Sequence, residues 1–331
     1  MNRQAAELDR FVSDLNRDPA IEYAEKIPLA YAQLEPSDPE FGQQWPLHNT
    51  GQSGGTNDAD IDASEAWDVD DGSSTTIVVA VIDTGIDYSH PDLDANIWTN
   101  HGEDAWTDPM DPSTGNGVDD DGNGLVDDWK GWDFVGANPL LARQDNDPKD
   151  IFGHGTHVSG IAGAVSNGEG GVGVNFNAKI LPIKIGGDSE LMNSLKAIQA
   201  IDYVIDLKTR SPNGEPNLRV INASWSMAAP LTAMKTAIDA AGDAGILFVA
   251  AAGNGGFDGV GDNIDQPPFL QGSWPAAFDS KTLVGVAATD HHDDLAGFSN
   301  YGPKNVDLGA PGVHYYSTLP TYDSVMTTDY G

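Results

Sequence analysis

The chain has 331 residues, with 16 Lys and Arg against 51 Asp and Glu, and a formal charge of −35. Phosphate and anionic-lipid recognition rest on clustered Lys and Arg, so this balance argues against a nucleic-acid partner and against a polybasic membrane contact. Cysteine is absent, which excludes disulfides and thiolate metal sites, and no apolar run approaches the roughly 20 residues that span a bilayer.

The first residues, Met1-Asn2-Arg3-Gln4, do not open a basic segment followed by an apolar one, so no signal peptide is visible. Residues 5–17 place Leu8, Phe11, Val12 and Leu15 on one face of a predicted helix, and the stretch 16–19 stops it. Residues 21–24 read as a short strand, and Pro28, Pro36 and Pro39 mark an extended linker. From residue 77 the pattern alternates. The β-branched run 77–82 predicts a parallel strand buried on both faces, and similar runs lie at 180–185, 220–225, 246–251 and 283–287. Between them, Leu191, Leu195, Ile198, Ile201 and Ile205 form one helical stripe, ended by the turn residues 211–214. A second helix is expected from Pro230, as its first residue, to about Gly242. Alternation of this kind predicts an α/β fold in three layers, a mostly parallel central sheet with helices on both faces. Residues 84–153 interrupt it with a long Asp- and Gly-rich stretch, a length that points to function or metal organisation.

Three segments carry chemistry. Asp83 ends the first strand run, where open parallel sheets place their sites, although a plain turn aspartate would look the same. Gly153-His154-Gly155-Thr156-His157 precedes a run of small residues that reads as a closely packed helix. Its two histidines lie three apart with no intervening Glu, which does not match the helical zinc motif, and His157 reads as a packed helix residue. Ala251-Ala252-Gly253-Asn254-Gly255 runs from a strand into a turn carrying one carboxamide, a group able to donate to a developing oxyanion or merely to form an Asn-Gly turn.

A fourth segment suggests a cation. Residues 119–128 put Asp119, Asp121 and Asn123 at loop positions 1, 3 and 5. Gly124 stands at the sharp turn, Leu125 offers a carbonyl, and Asp127 and Asp128 follow, so oxygen-rich Ca2+ binding is expected. The acids come too early for a full EF-hand, and a solvated acidic turn is the bland alternative. Residues 168–173 satisfy G-x-G-x-x-G, but with a helix before and a strand after, the reverse of a dinucleotide fingerprint. A nucleotide-dependent oxidoreductase is therefore set aside.

In this order, the segments around Asp83, His154 and Asn254 resemble the subtilisin-like serine proteases, with the likeness running over about residues 36–331. The resemblance implies Asp83 as the residue that orients an imidazole, His154 as general base and Asn254 as oxyanion donor. It further implies a substrate-pairing strand at Ser224, Trp225 and Ser226, with Ala252 and Gly253 beside it, and a pocket base at Ser273-Trp274-Pro275-Ala276, where the family often has a cis proline. A calcium site joining Asp38, Asp92 and a loop near Asn167 is implied as well. Residues 1–34 resemble the end of an inhibitory propeptide and 35–331 a catalytic domain without its carboxyl-terminal part, because the family's Gly-Thr-Ser-Met-Ala-x-Pro nucleophile motif is expected after residue 331. Ser226-Met227-Ala228-Ala229-Pro230 imitates that motif but precedes Asn254, and it reads as part of the cleft rim. What the resemblance implies is a secreted, monomeric, calcium-stabilised serine endopeptidase, made as a proenzyme, acting on polypeptides and held by its own propeptide. The 331 residues would be inactive alone, and the alternative is a non-catalytic calcium- or peptide-binding derivative.

Overall fold

The structure is a computed structural model that describes residues 10–25, 35–136, 143–187, 189, 191–210, 215–256, 258–266 and 273–322. Two compact units divide at Leu34 and Glu35. In the first, residues 10–15 are helical and the chain turns at 16–17, while residues 1–9 of the expected helix lie outside the described residues. The predicted strand at 21–24 does not form. Asn16 replaces a partner strand there: its Nδ2 donates to the Ala24 carbonyl at 2.8 Å and its Oδ1 accepts from the Ala24 N–H.

The second unit holds a seven-stranded sheet, β1 Val78–Asp83, β2 Trp132–Asp133, β3 Lys179–Lys184, β4 Leu218–Ala223, β5 Leu247–Ala251, β6 Leu283–Thr289 and β7 Leu308–Pro311. Its order is β2-β3-β1-β4-β5-β6-β7, and every pairing is parallel. The helices are α1 Ala63–Val69, α2 His154–Gly163, α3 Ser194–Arg210 and α4 Thr232–Asp243. Three layers follow from side-chain alternation. Ala80, Ile82, Leu181 and Ile183 join Ala197 and Ile201 of α3 and Met234 and Ile238 of α4 in the main core. Val81 and Ile180 turn to the other face, against Val158 and Ala162 of α2. With β3 on one side of β1 and β4 on the other, the chain reverses its direction of travel at β1, the place where parallel sheets open a crevice at their carboxyl ends.

Continuous apolar runs predicted burial on both faces, and β1 and β3 have it. In β5, Phe248 and Ala250 are buried while Leu247 is exposed and Val249 and Ala251 are half-buried, so one face is less covered. The helical stripe also differs. Leu191 precedes α3 and Leu195 sits exposed in its first turn, whereas Ala197, Ala200, Ile201, Tyr203, Val204 and Leu207 form the buried face. Small residues let that face lie close to the sheet, and a reading weighted to large aliphatics misplaced its centre. Residues 211–214, the predicted stop, lie outside the described residues. Pro230 stands two residues before α4 rather than inside it. The short edge strands β2 and β7 carried no sequence signal, being a two-residue Trp-Asp pair and a Gly- and Pro-containing run.

Candidate active site

Asp83 is the last residue of β1 and is fully buried. One carboxylate oxygen, Oδ1, accepts from the Thr84 N–H at 2.7 Å and lies 2.7 Å from His154 Nδ1; Oδ2 is buried with no hydrogen-bond partner among the described residues. The imidazole side chain remains about a quarter exposed, so the pair has one buried and one open end.

Local structure sets this distance. His154 is the first residue of α2, whose orphan N–H groups are met from outside the helix: Gly155 donates to Thr84 Oγ1 and Thr156 to Asp150 Oδ2, each at 2.9 Å. Asp150 also accepts from the Phe152 and Gly153 N–H groups and from the Thr156 hydroxyl, and its burial raises its pKa. Gly155 permits the close approach, since a Cβ there would meet the Gly85 carbonyl oxygen at 2.0 Å.

The other predicted residues gather at the same carboxyl edge of the sheet. Ser224, Trp225 and Ser226 follow β4; Trp225 is buried and its Nε1 donates to the Ile82 carbonyl at 2.8 Å, which ties this segment to β1 one residue before Asp83. Ser226 is exposed. Met227 exchanges backbone hydrogen bonds with Trp274, whose bond to Pro275 is cis. Ala252, Gly253 and Asn254 follow β5. Ala252 and Gly253 are buried, Gly253 adopts φ +99°, and Asn254 is exposed, with no side-chain hydrogen bond among the described residues. The sheet thus sets a carboxylate–imidazole pair, the segment that leaves β4 and an exposed carboxamide at the ends of neighbouring strands β1, β4 and β5. Such a set can activate a hydroxyl, align a peptide backbone and meet an oxyanion.

The acidic loop folds around a residue absent from the sequence reading. Oxygens of Glu103, Asp119 and Asp121 all lie within 4.8 Å of one another. Glu103 also accepts from the N–H groups of Asp120, Asp121 and Asp127. Burial, with Asp128 and Asp121 near, pushes its carboxyl up to about 7. Asn123 donates to Asp121 and Asp128, and buried Asp128, pushed up to about 6 by burial, accepts from Tyr203 at 2.7 Å. Asp127 turns to the Gly117 N–H, leaving its Oδ1 buried without a partner among the described residues, and the Leu125 side chain packs on the core. The hard oxygen donors of Glu103, Asp119 and Asp121 and their mutual repulsion fit a bound Ca2+. Glu103 lies sixteen residues before the loop, and no spacing rule reaches it.

Asp38, Asp92 and the loop at Asn167 are joined by hydrogen bonds. Asp38 accepts from Ser166 Oγ and from the N–H groups of Asn167 and Gly168, and Asn167 Nδ2 donates to Asp92 at 3.3 Å. Burial raises the Asp92 pKa. The G-x-G-x-x-G run lies between α2 and β3, the context that excludes a dinucleotide loop.

Comparison with known proteins points to one family. The profile of the family described as "Peptidase_S8: Subtilase family" matches residues 74–330. The chain is 33% identical to the thermophilic serine proteinase of Bacillus sp. (strain AK1) over 94% of this chain and 60% of that protein. It is 33% identical to an extracellular protease of Xanthomonas campestris pv. campestris over 95% of this chain and 49% of the relative. The chain therefore spans about half the length of these relatives. Among solved structures, a protease of Pseudoalteromonas arctica PAMC 21717 superposes with a TM-score of 0.58 at 28% identity, over 84% of this chain and 72% of that one.

Proposed function

The chain belongs to the subtilase family, and from that premise we propose that it is the catalytic portion of a secreted serine endopeptidase. The observation that carries the reading is the 2.7 Å contact between buried Asp83 and the Nδ1 of partly exposed His154.

A serine hydroxyl attacks a peptide carbonyl only as its proton leaves, and a base near neutrality must take it. Holding Nδ1–H against the Asp83 carboxylate fixes one imidazole tautomer, presents Nε2 to the hydroxyl and stabilises the imidazolium formed on proton transfer. The same proton then passes to the departing amine. Asn254 donates its amide to the oxyanion of the tetrahedral intermediate, a charge absent from the ground-state carbonyl. Ser224, Trp225 and Ser226 align the substrate backbone, with Ala252 and Gly253 forming the opposite wall.

The family's Gly-Thr-Ser-Met run does not occur among the 331 residues, so the proposal assigns these residues binding without hydrolysis and assigns the reaction to a chain that includes the serine. Residues 1–34 act as the end of an inhibitory propeptide, and the domain works as a monomer. Glu103, Asp119, Asp121 and Asp128 would hold one Ca2+ and Asp38 and Asp92 a second, where the ion supplies charge neutralisation and pins loops rather than chemistry. Among the described residues, no helix is long and apolar enough to cross a membrane.

The test is hydrolysis of a peptide anilide by the full-length gene product against its His154→Ala variant. Hydrolysis by the parent and loss of it in the variant support the proposal; full-length protein that binds peptide without cutting it supports the non-catalytic alternative.

A further inference from the structure

Asn254 sits between two glycines, and Gly253 and Gly255 both adopt left-handed backbone, at φ +99° and +58°. A Gly-Asn-Gly segment has little stiffness of its own. The sheet ladder holds it only as far as Ala252, whose N–H donates to the Val286 carbonyl at 2.8 Å. Beyond that point the backbone partners of residues 252–255 all come from one residue, Asn300, among the described residues.

Asn300 lies between β6 and β7 and is fully buried. Its side-chain Nδ2 donates to the Ala252 carbonyl at 3.0 Å, and its backbone N–H donates to the Gly253 carbonyl at 2.8 Å. Its Oδ1 accepts from the Gly255 N–H at 3.0 Å and from the Asp262 N–H at 2.8 Å. The amide therefore grips the turn on both sides of Asn254 and ties it to the next loop, while the Asn254 side chain itself is exposed and makes no hydrogen bond among the described residues. Only a carboxamide of this length both donates and accepts across the turn. Asp would offer acceptors alone, and Ser would not reach both partners.

We infer that Asn300 is the positioning residue of the oxyanion donor, fixing the turn that aims Asn254 without itself touching substrate. The inference rests on the proposed role of Asn254. An oxyanion donor counts only where its geometry is set before the charge develops, and a misplacement near 1 Å costs about 100-fold in rate.

A double-mutant cycle tests it in the full-length peptidase, with kcat expressed per titrated active site so that misfolded protein does not enter the rate. Asn300→Ala is expected to lower kcat about 100-fold with KM changed less than about threefold. Because Asn300 acts through Asn254, the double variant Asn254→Ala/Asn300→Ala should fall no more than about threefold below Asn254→Ala alone. Asn300→Asp keeps the acceptor for Gly255 and Asp262 but sets a carboxylate against the Ala252 carbonyl, and should lie between the parent and Asn300→Ala. A double variant that falls by the product of the two single losses overturns the inference, as does an unchanged kcat in Asn300→Ala. If Asn300→Ala does not fold, the same cycle is run with Asn300→Asp. Failure of both to fold makes Asn300 a folding residue and overturns the inference too. An unchanged kcat in Asn254→Ala instead refutes the oxyanion role of Asn254 itself, a separate outcome.

Discussion

His154 and Asp83 are separated by 71 positions in sequence and by 2.7 Å in space, and most of the site's chemistry lies in that one contact. Asp83 presents a single oxygen to both Thr84 N–H and His154, so its value is orientation more than bulk charge. Asp83→Asn keeps the shape but offers an amide, which selects the wrong imidazole tautomer. In the complete peptidase kcat should fall on the order of 10⁴-fold with KM little changed, measured on a peptide anilide; a loss confined to KM would contradict the assigned role. These residues were legible in sequence because each sits in a run of characteristic neighbours, Asp83 in a strand end, His154 and Asn254 among glycines that have steric reasons to be there. Glu103 and Asn300 were not. Each acts through hydrogen bonds to a segment distant in sequence, and nothing in its own neighbourhood reports that.

Elements bring those residues into place, and α2 is the decisive one. Its first turn is held by Asp150 and Thr84 rather than by its own N-cap residue Gly153. Asp150→Ala leaves several buried donors unmet, and a loss of about 2 kcal/mol is expected from the shift in urea midpoint at constant slope. A change within error would show that Thr84 alone suffices. The edge strand β2 is tied differently. Asp133 accepts from the Val135 and Gly136 N–H groups and lies 3.3 Å from Lys184 Nζ, which also donates to the Lys149 carbonyl ahead of α2. Burial outweighs the Lys184 charge and pushes the Asp133 carboxyl up to about 6. Its folded pKa then exceeds the unfolded carboxylate value, so the folded state keeps that proton longer. The contribution of Asp133 to stability therefore declines as pH rises from about 4 to about 6. Relative to Asp133→Asn, the wild-type melting temperature should lose ground across that window, and a drift the other way would contradict the assignment. Sequence periodicity located β1, β3 and β4, whose apolar runs are long, yet it missed β2, because two residues have no period.

At the scale of the whole molecule, charge dominates. With 51 acidic against 16 basic side chains, the folded surface repels itself, and added salt shortens the reach of that repulsion from about 10 Å near 0.1 M to about 3 Å near 1 M. The melting temperature should rise over that interval, and a flat or falling trend would show that self-repulsion does not limit stability. Part of the charge is concentrated at Glu103, Asp119 and Asp121, where bound Ca2+ would stabilise the fold by mass action. Excess EDTA should therefore lower the melting temperature, Ca2+ restore it and Mg2+ fail to; an unchanged melt would refute structural calcium. The three-layer architecture was readable from alternation alone, since parallel strands and helices leave few ways to pack. The lesser cover over one face of β5 was not, because an apolar run does not say which neighbours arrive. The most direct test of the central claim is to label the full-length gene product with a phosphonylating probe specific for activated serine, then locate the adduct by peptide mass spectrometry. One adduct on a serine downstream of residue 331, abolished by His154→Ala, is the predicted result. An adduct on Ser226, or labelling that persists without His154, would contradict the account.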